Sequence, residues 1–262
     1  TERVLDCLEM NRSTYTLEEL ARMTNVTVPY VYNKQTHSHD AAEWPELGNY
    51  EVGGGVRSNV LDLMKYGELY LRGGELRGRS LVSPKLLQSM WQPVYPIGRM
   101  TAYGYALQST PYGAVTLVEH GGSQPGVSSN FGFVPERCLT VAVLTNVTGV
   151  SANAIWLAAV NTALGLPLEQ KRSLEPEYQA AQEELLRLVG TYRSDEGGNL
   201  RIFMDNEGLK VENEGEQFPL RASSDHTLVY EYRGQKVLRF HLRDGQPWAV
   251  FSGLRMLRRT LE

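Results

Sequence analysis

The residues best suited to chemistry in this 262-residue chain are its five histidines, and one of them stands apart. His120 comes at the end of a predicted strand, and two glycines directly follow it. A glycine pair after a strand is usually only a turn. Alternatively, the missing side chains of Gly121 and Gly122 let a substrate lie along the strand and bond to its main chain, beside an imidazole that polarises it or assists a proton transfer. The residues alone leave both interpretations open.

The other four histidines give weaker indications. His37 and His39 form an H-x-H pattern, which on a strand would put both imidazoles on one face and within reach of a metal ion. No third ligand follows at a fixed spacing, so we predict no metal site. His226 and His241 belong to a region of short strands and turns, where a structural role is expected.

Composition narrows the classes of function. The chain is 42% hydrophobic and 21% charged, which is typical of a soluble globular protein. Its 26 basic and 30 acidic residues are interspersed, with a net charge of −4, which argues against nucleic acid or an anionic membrane as a partner.

Cys7 and Cys138 suit neither a disulfide framework nor a zinc site and are expected as reduced, partly buried thiols. No cofactor is implied. The compartment stays open, with the cytoplasm slightly preferred.

The first half of the chain contains three predicted helices. One covers residues 17–23, with Thr14 or Thr16 as its N-cap. A second runs over residues 59–71 with Ser58 as its N-cap and Gly73 and Gly74 at its end. Ser83 and Pro84 begin a third, which extends to about residue 91, because serine caps a helix and proline suits its first position.

The middle of the chain predicts an antiparallel sheet. Alternating or apolar runs indicate strands over residues 103–107, 115–119, 127–134 and 139–146, and Ser151 then caps a helix that packs on the sheet. Residues 165–176 suggest a linker, and residues 177–189 a connecting helix. After Gly190, turns recur every 8–12 residues, which indicates a small barrel or meander. We therefore expect an α+β protein whose domains are residues 1–166 and 190–262, joined by residues 167–189.

Three segments, in the same order, resemble the serine β-lactamase-related hydrolases, which include class C β-lactamases, D,D-carboxypeptidases, D-aminopeptidases and esterases. Residues 120–137 and the strand after them resemble the family's third motif, in which H-G-G precedes a bend, an F-x-P-E-R/K turn and an apolar strand. Residues 53–63 resemble its G-G-L-x-S-T-x-x-D-L segment, and residues 103–107 its Y-G-Y-G-L strand. The resemblance covers residues 1–166, and residues 190–259 resemble the lipocalin-like barrel appended to some members.

Two motifs of that family are missing. Its nucleophile is the serine of S-x-x-K, and a tyrosine in Y-x-N relays protons. None of the 16 serines here has a lysine three positions on, and no tyrosine is followed by x-Asn. We therefore expect the chain to begin inside the catalytic domain and to be inactive alone. Truncation, proteolysis, or an N-terminal catalytic segment carried on a separate partner chain would each explain the missing nucleophile.

The resemblance implies roles for four residues. His120 would act electrostatically on the catalytic serine and tyrosine or on a substrate carboxylate, Gly121 and Gly122 would keep the strand edge clear for substrate, and the N–H of Ser123 would form half of the oxyanion hole. The parent protein would be a cofactor-free serine acyl-hydrolase that works through an acyl-enzyme on a peptide or small molecule. A peptidase is the first choice, and an esterase, a β-lactamase or a non-catalytic ligand-binding homologue are the alternatives.

Overall fold

A computed structural model describes residues 2–33, 35–172, 175–232 and 234–260. The chain divides into two compact units, which are described separately. The first unit comprises Thr1–Pro96 and Met100–Arg172, and the second comprises Ile97–Arg99 and Ser173–Glu262. Within the described residues, no helix has the length and apolar character needed to cross a membrane.

Three helices of the first unit begin at capping side chains. The helix Ala152–Leu164 does not, so the prediction that Ser151 caps it was wrong: its side chain makes no capping hydrogen bond. Thr16 accepts a hydrogen bond from the N–H of Glu19, and Ser83 accepts one from the N–H of Leu86, as the sequence predicts. The prediction for the longest early helix was wrong by one residue, because Asn59 rather than Ser58 accepts from its first N–H groups. The helices are α1 (Leu17–Ala21), α2 (Glu51–Gly54), α3 (Val60–Leu71), α4 (Pro84–Ser89) and α5 (Ala152–Leu164).

Two small hairpins and one six-stranded antiparallel sheet complete the first unit. The hairpins pair β1 (Tyr30–Asn33) with β2 (Ser38–Ala41), and β3 (Glu75–Leu76) with β4 (Arg79–Ser80). The sheet has the order β10-β9-β8-β7-β6-β5, so β10 is an outermost strand. Its members are β5 (Tyr95–Pro96), β6 (Ala102–Tyr103), β7 (Gln108–Tyr112), β8 (Val115–Gln124), β9 (Val127–Val134) and β10 (Leu139–Thr145).

Both faces of this sheet are covered by helices. Side chains alternate between the two faces along each strand, so neighbouring residues of one strand pack against different helices. On one face, Val118 and its cross-strand partner Phe133 pack with Tyr70 of α3. On the other face, Leu117 and Val134 pack with Trp156 of α5. Strand β8 therefore lies in the interior of a three-layer arrangement of helix, sheet and helix.

Helix α5 approaches the sheet closely over Gly132. A Cβ atom on Gly132 would lie 2.4 Å from the carbonyl oxygen of Val118 and 2.7 Å from the ring of Trp156. The indole Nε1 of Trp156 donates to the carbonyl of Val141, the residue opposite Gly132 on β10, at 3.0 Å. Only glycine fits at this point of contact.

The predicted strand over residues 103–107 is interrupted. Strand β6 ends at Tyr103, and the chain then turns, with the N–H of Gly104 bonded to the carbonyl of Leu107 at 2.8 Å and Ala106 in a left-handed conformation, φ 72°. A Cβ on Gly104 would lie 2.4 Å from the carbonyl oxygen of Met90, so this close approach requires glycine. The prediction of a strand over residues 104–107 was therefore wrong, because tertiary packing replaces the strand with a turn after Tyr103.

The second unit is a nine-stranded antiparallel sheet that closes nearly into a barrel, preceded by a helix shorter than the predicted 177–189. Its interior is apolar, with Tyr192 and Phe240 in edge-to-face contact at 5.5 Å. The sheet has the order β14-β13-β12-β11-β19-β18-β17-β16-β15. The elements are α6 (Gln182–Leu188), β11 (Gly190–Arg193), β12 (Asn199–Asp205), β13 (Gly208–Asn213), β14 (Glu216–Pro219), β15 (Arg221–Ser224), β16 (Thr227–Glu231), β17 (Gln235–Arg243), β18 (Gln246–Ser252) and β19 (Arg255–Arg259).

The mixed α/β fold class predicted from the sequence is confirmed. Two finer predictions were wrong. Cys7 and Cys138 are exposed thiols rather than partly buried ones, since both lie in turns at the surface. His37 lies in the turn before β2, with φ 52°, so it does not share a strand face with His39.

The packing over Gly132 predicts that an alanine there destabilises the protein much more than an alanine at Gly121. We expect Gly132→Ala to lower the free energy of unfolding by about 2 kcal/mol, because the new methyl group overpacks a site bounded by backbone. Gly121→Ala, in the neighbouring strand, should change it by less than about 0.5 kcal/mol, since its Cβ would come no closer than 3.6 Å to another atom.

Urea unfolding followed by tryptophan fluorescence measures this difference, because three of the four tryptophans, Trp44, Trp91 and Trp156, lie in the first unit. Equal unfolding midpoints for the two variants would contradict the described packing.

Candidate active site

Strand β8 is longer than its neighbour β7. The ladder between them runs from the pair Tyr112–Val115 to the pair Gln108–Glu119 and stops there. Strand β8 continues for five more residues, paired only with β9 among the described residues. The predicted strand end at Glu119 was therefore wrong, and Gly121 and Gly122 are not a turn. They lie inside a strand whose other edge is open.

The hydrogen-bond alternation of the ladder shows which groups line this edge. Strands β7 and β8, and strands β8 and β9, are each joined by a two-residue loop, at residues 113–114 and 125–126. The residues that flank such a loop form a hydrogen-bonded pair, and bonding then alternates along the strands. Main-chain groups of His120, Gly122 and Gln124 therefore point to β9. Those of Gly121 and Ser123 point away from it, where β7 has ended.

We call the edge formed by residues 120–123 the β8 rim. Gly121, Gly122 and Ser123 are all exposed. No hydrogen bond from a loop of the described residues reaches the N–H of Gly121 or Ser123. Two strand donors and two strand acceptors are thus available to a bound molecule, which is how an extended ligand adds to a sheet edge.

The same turn that ends β7 also brings a tyrosine to the rim. Because β6 ends at Tyr103 beside this turn, the hydroxyl of Tyr103 reaches Nε2 of His120 at 2.9 Å, with the two rings edge to face. Both side chains are half-buried, and burial raises the pKa of the Tyr103 phenol. Tyr103 belongs to the segment that resembles the Y-G-Y-G-L strand, but the resemblance implied no role for it. Its nearness to His120 depends on a turn that the alternating pattern concealed.

Behind the rim, on the opposite face of the sheet, lies a buried polar cluster. The carboxylate of Glu119 is ion-paired with Arg172 and accepts a hydrogen bond from Nδ2 of Asn130 at 2.7 Å. Asn153 at the start of α5 accepts from both Asn130 and Arg172, at 3.1 Å each. Asn130 lies directly opposite Gly121 in the ladder. This Glu119 cluster therefore supports the rim from behind, and sequence analysis did not identify it.

The glycines at residues 53–55, which begin the segment that resembles the family's G-G-L-x-S-T-x-x-D-L pattern, also lie near the rim. The side chain of Gln124, the last residue of β8, donates to the carbonyl of Gly54 in α2 at 2.8 Å. Arg57, which is buried, donates to the carbonyls of Tyr15, Gly55 and Pro45. Two of the segments that carry the family resemblance are thus in direct contact.

The next residues of that segment have a structural role. Ser58 and Asp62 both bond to the hydroxyl of Ser13, at 2.7 and 2.9 Å. Burial alone would raise the pKa of Asp62, but hydrogen bonds from Lys65, from the N–H of Arg12 and from Ser13 hold it below its usual value. The ionised carboxylate therefore joins α3 to the start of the chain.

Tyr192, with Ser194 two positions on, has a Y-x-S spacing that was not among the candidates from the sequence. It is fully buried in the second unit and donates its hydroxyl to the carbonyl of Leu188. Burial raises the pKa of Tyr192 to about 12. The described residues contain no group of three His, Cys, Asp or Glu side chains placed to hold a metal ion.

Comparison with known proteins identifies the family of the chain. The family model described as Beta-lactamase matches residues 1–164. Among solved structures, an octameric penicillin-binding protein homologue from Pyrococcus abyssi shares 23% identity, with a TM-score of 0.56 over 98% of this chain and 58% of its own. SurE shares 18% identity, with a TM-score of 0.69 over 98% of this chain and 62% of its own. Among curated proteins, no relative matches the chain.

The structural likenesses show the shared fold. This chain spans less than two thirds of the length of both similar structures. A structure of SurE with D-Leu is also similar, with 20% identity and a TM-score of 0.59 over 78% of this chain and 50% of its own.

The alternation at the rim predicts a pattern of amide hydrogen exchange. We expect the N–H groups of Gly121 and Ser123 to exchange at least about tenfold faster than those of Gly122 and Glu119, because only the latter have strand partners. Glu119 is the matched control, since it points to the same edge but faces β7. Residue-resolved exchange by NMR checks this, and slow exchange at Ser123 would mean that the edge is closed.

The Glu119 cluster predicts a stability effect. Glu119→Gln should lower the free energy of unfolding by about 2 kcal/mol, because it leaves the Arg172 charge without its partner. The control is Glu68→Gln, whose partner Arg72 is largely exposed, and its effect should stay below about 0.5 kcal/mol. Urea unfolding measures both, and an equally small effect of Glu119→Gln would remove the cluster as a support of the rim.

Proposed function

The chain belongs to the β-lactamase family, and we propose that it forms part of a serine hydrolase in which the β8 rim binds the substrate acyl group. The observation that carries this proposal is the pair of outward main-chain positions at Gly121 and Ser123, beside a half-buried histidine. Relatives in this superfamily are hydrolases.

In this proposal the N–H of Ser123 is one of two donors that stabilise the oxyanion of the acyl-transfer transition state. Such a donor lowers the barrier because the charge it faces develops only during the reaction, and removing one donor costs about 10²–10³ in turnover. The N–H is fixed in a regular ladder, so it needs no reorganisation. The second donor would come from the nucleophile's own residue.

Gly121 and Gly122 keep the rim accessible. With no side chains at these positions, a ligand backbone can approach to hydrogen-bond distance, as an added strand does. A peptide in extended form offers alternating N–H and C=O groups that match those of Gly121 and Ser123. This match favours a peptidase, and an esterase or β-lactamase would use the Ser123 donor alone.

The attacking serine is proposed to lie outside these 262 residues, because no serine here has a lysine three positions on. A serine hydroxyl is a weak nucleophile unless a nearby base takes its proton. Among the described residues, no serine hydroxyl is bonded to His120, whose Nε2 is instead bonded to Tyr103. The chain alone is therefore proposed to be inactive.

Labelling with serine-directed reagents tests this proposal. We expect a fluorescent penicillin and a fluorophosphonate to leave the purified chain unlabelled, with an unchanged intact mass, while a known serine hydrolase in the same solution is labelled. Stoichiometric labelling would show that a nucleophile is present. Sequencing the gene on both sides of the region that encodes this chain is the complementary test: S-x-x-K and Y-x-N motifs support the hydrolase, and degenerate motifs support a ligand-binding protein instead.

A further inference from the structure

We propose that Tyr103 is a positioning residue that fixes the tautomer of the His120 imidazole, with the proton on Nδ1, so that this nitrogen is a hydrogen-bond donor. This inference rests on the proposed function of the β8 rim as a substrate site. The contact that carries it is the 2.9 Å distance between Oη of Tyr103 and Nε2 of His120. The direction of that hydrogen bond decides which nitrogen of His120 holds the proton.

The phenol is the better donor of the two groups. A neutral imidazole has one pyridine-type nitrogen whose lone pair is a strong acceptor, whereas the oxygen lone pairs of a phenol are partly delocalised into its ring. Burial raises the pKa of Tyr103, so its hydroxyl keeps its proton at neutral pH. The favoured arrangement is therefore O–H of Tyr103 donating to Nε2 of His120.

Hydrogen-bond satisfaction gives the same direction. Tyr103 has no second acceptor within bonding distance among the described residues. If Nε2–H donated to the phenol oxygen, the half-buried hydroxyl would be left without an acceptor, which costs free energy. In the opposite direction the phenol hydroxyl has its acceptor, and Nδ1 carries the remaining proton, which only a ligand or solvent would accept.

The consequence concerns what His120 offers to a ligand. With Nε2 occupied by Tyr103, only Nδ1–H is available, and no described residue bonds to it. His120 would then bind an acceptor atom, a carbonyl or carboxylate oxygen of the substrate, instead of removing a proton from it. The substrate class favoured at this end of the rim is one with such an oxygen next to the reacting group.

Imidazole nitrogen NMR tests the inference on the isolated chain and needs no catalytic activity. At pH 8, where an ordinary imidazole is neutral, long-range ¹H–¹⁵N spectra of His120 should show Nδ1 protonated and Nε2 unprotonated. Tyr103→Phe should lower the ratio of the Nδ1–H to the Nε2–H form about fivefold to tenfold, because one neutral hydrogen bond is lost. Tyr105→Phe is the control, since Tyr105 is 64% exposed and its ring is not in contact with His120.

Each outcome decides the inference. A wild-type His120 with the proton on Nε2 would overturn it, whether or not Tyr103→Phe folds. An unchanged ratio in a folded Tyr103→Phe variant would also overturn it. Labelling by a serine-directed reagent would change the proposed location of the nucleophile but leave the Tyr103 result standing, so the two proposals fail separately.

Discussion

The site depends on one mismatch of strand lengths. Strand β8 runs to Gln124, but its neighbour β7 is complete only as far as Gln108, opposite Glu119. In an antiparallel ladder, every second residue points its N–H and C=O to the same edge, so each such residue beyond the end of β7 exposes a main-chain donor and acceptor. The turn at residues 104–107 sets the mismatch, and this turn is fixed by the approach of Gly104 to the carbonyl of Met90. One close contact in the first unit thus determines where the sheet is open.

The open segment is nevertheless held on both faces. On one face, His120 lies opposite Phe131 and bonds to Tyr103. On the other, Glu119 and Asn130 form a buried cluster with Arg172. A sheet edge without a partner strand is normally free to fray. Here, packing and ionic contacts replace the missing strand as the source of rigidity, which leaves the main-chain groups themselves free for a ligand.

Periodicity and capping rules predicted much of this fold, because they act over a few residues. The strand at 127–134 and the caps at Thr16 and Ser83 were confirmed. Long-range contacts were beyond the sequence patterns: Arg172 lies 53 residues from Glu119, and nothing local marks them as partners. The glycine pair at 121–122 suggested a turn, yet β9 keeps these residues extended. The cap at Asn59 was missed because Ser58 beside it is an equally good capping type.

The other border of the six-stranded sheet has a different character. Strand β10 is its outermost strand, and its seven residues, Leu139–Thr145, include no charge and no proline. Such a border lacks the usual devices that discourage a foreign strand from adding to a sheet. Where this edge is uncovered, two molecules can pair through their β10 strands, and this association increases with protein concentration. Dilute samples therefore suit measurements on the β8 rim, two strands away from this border.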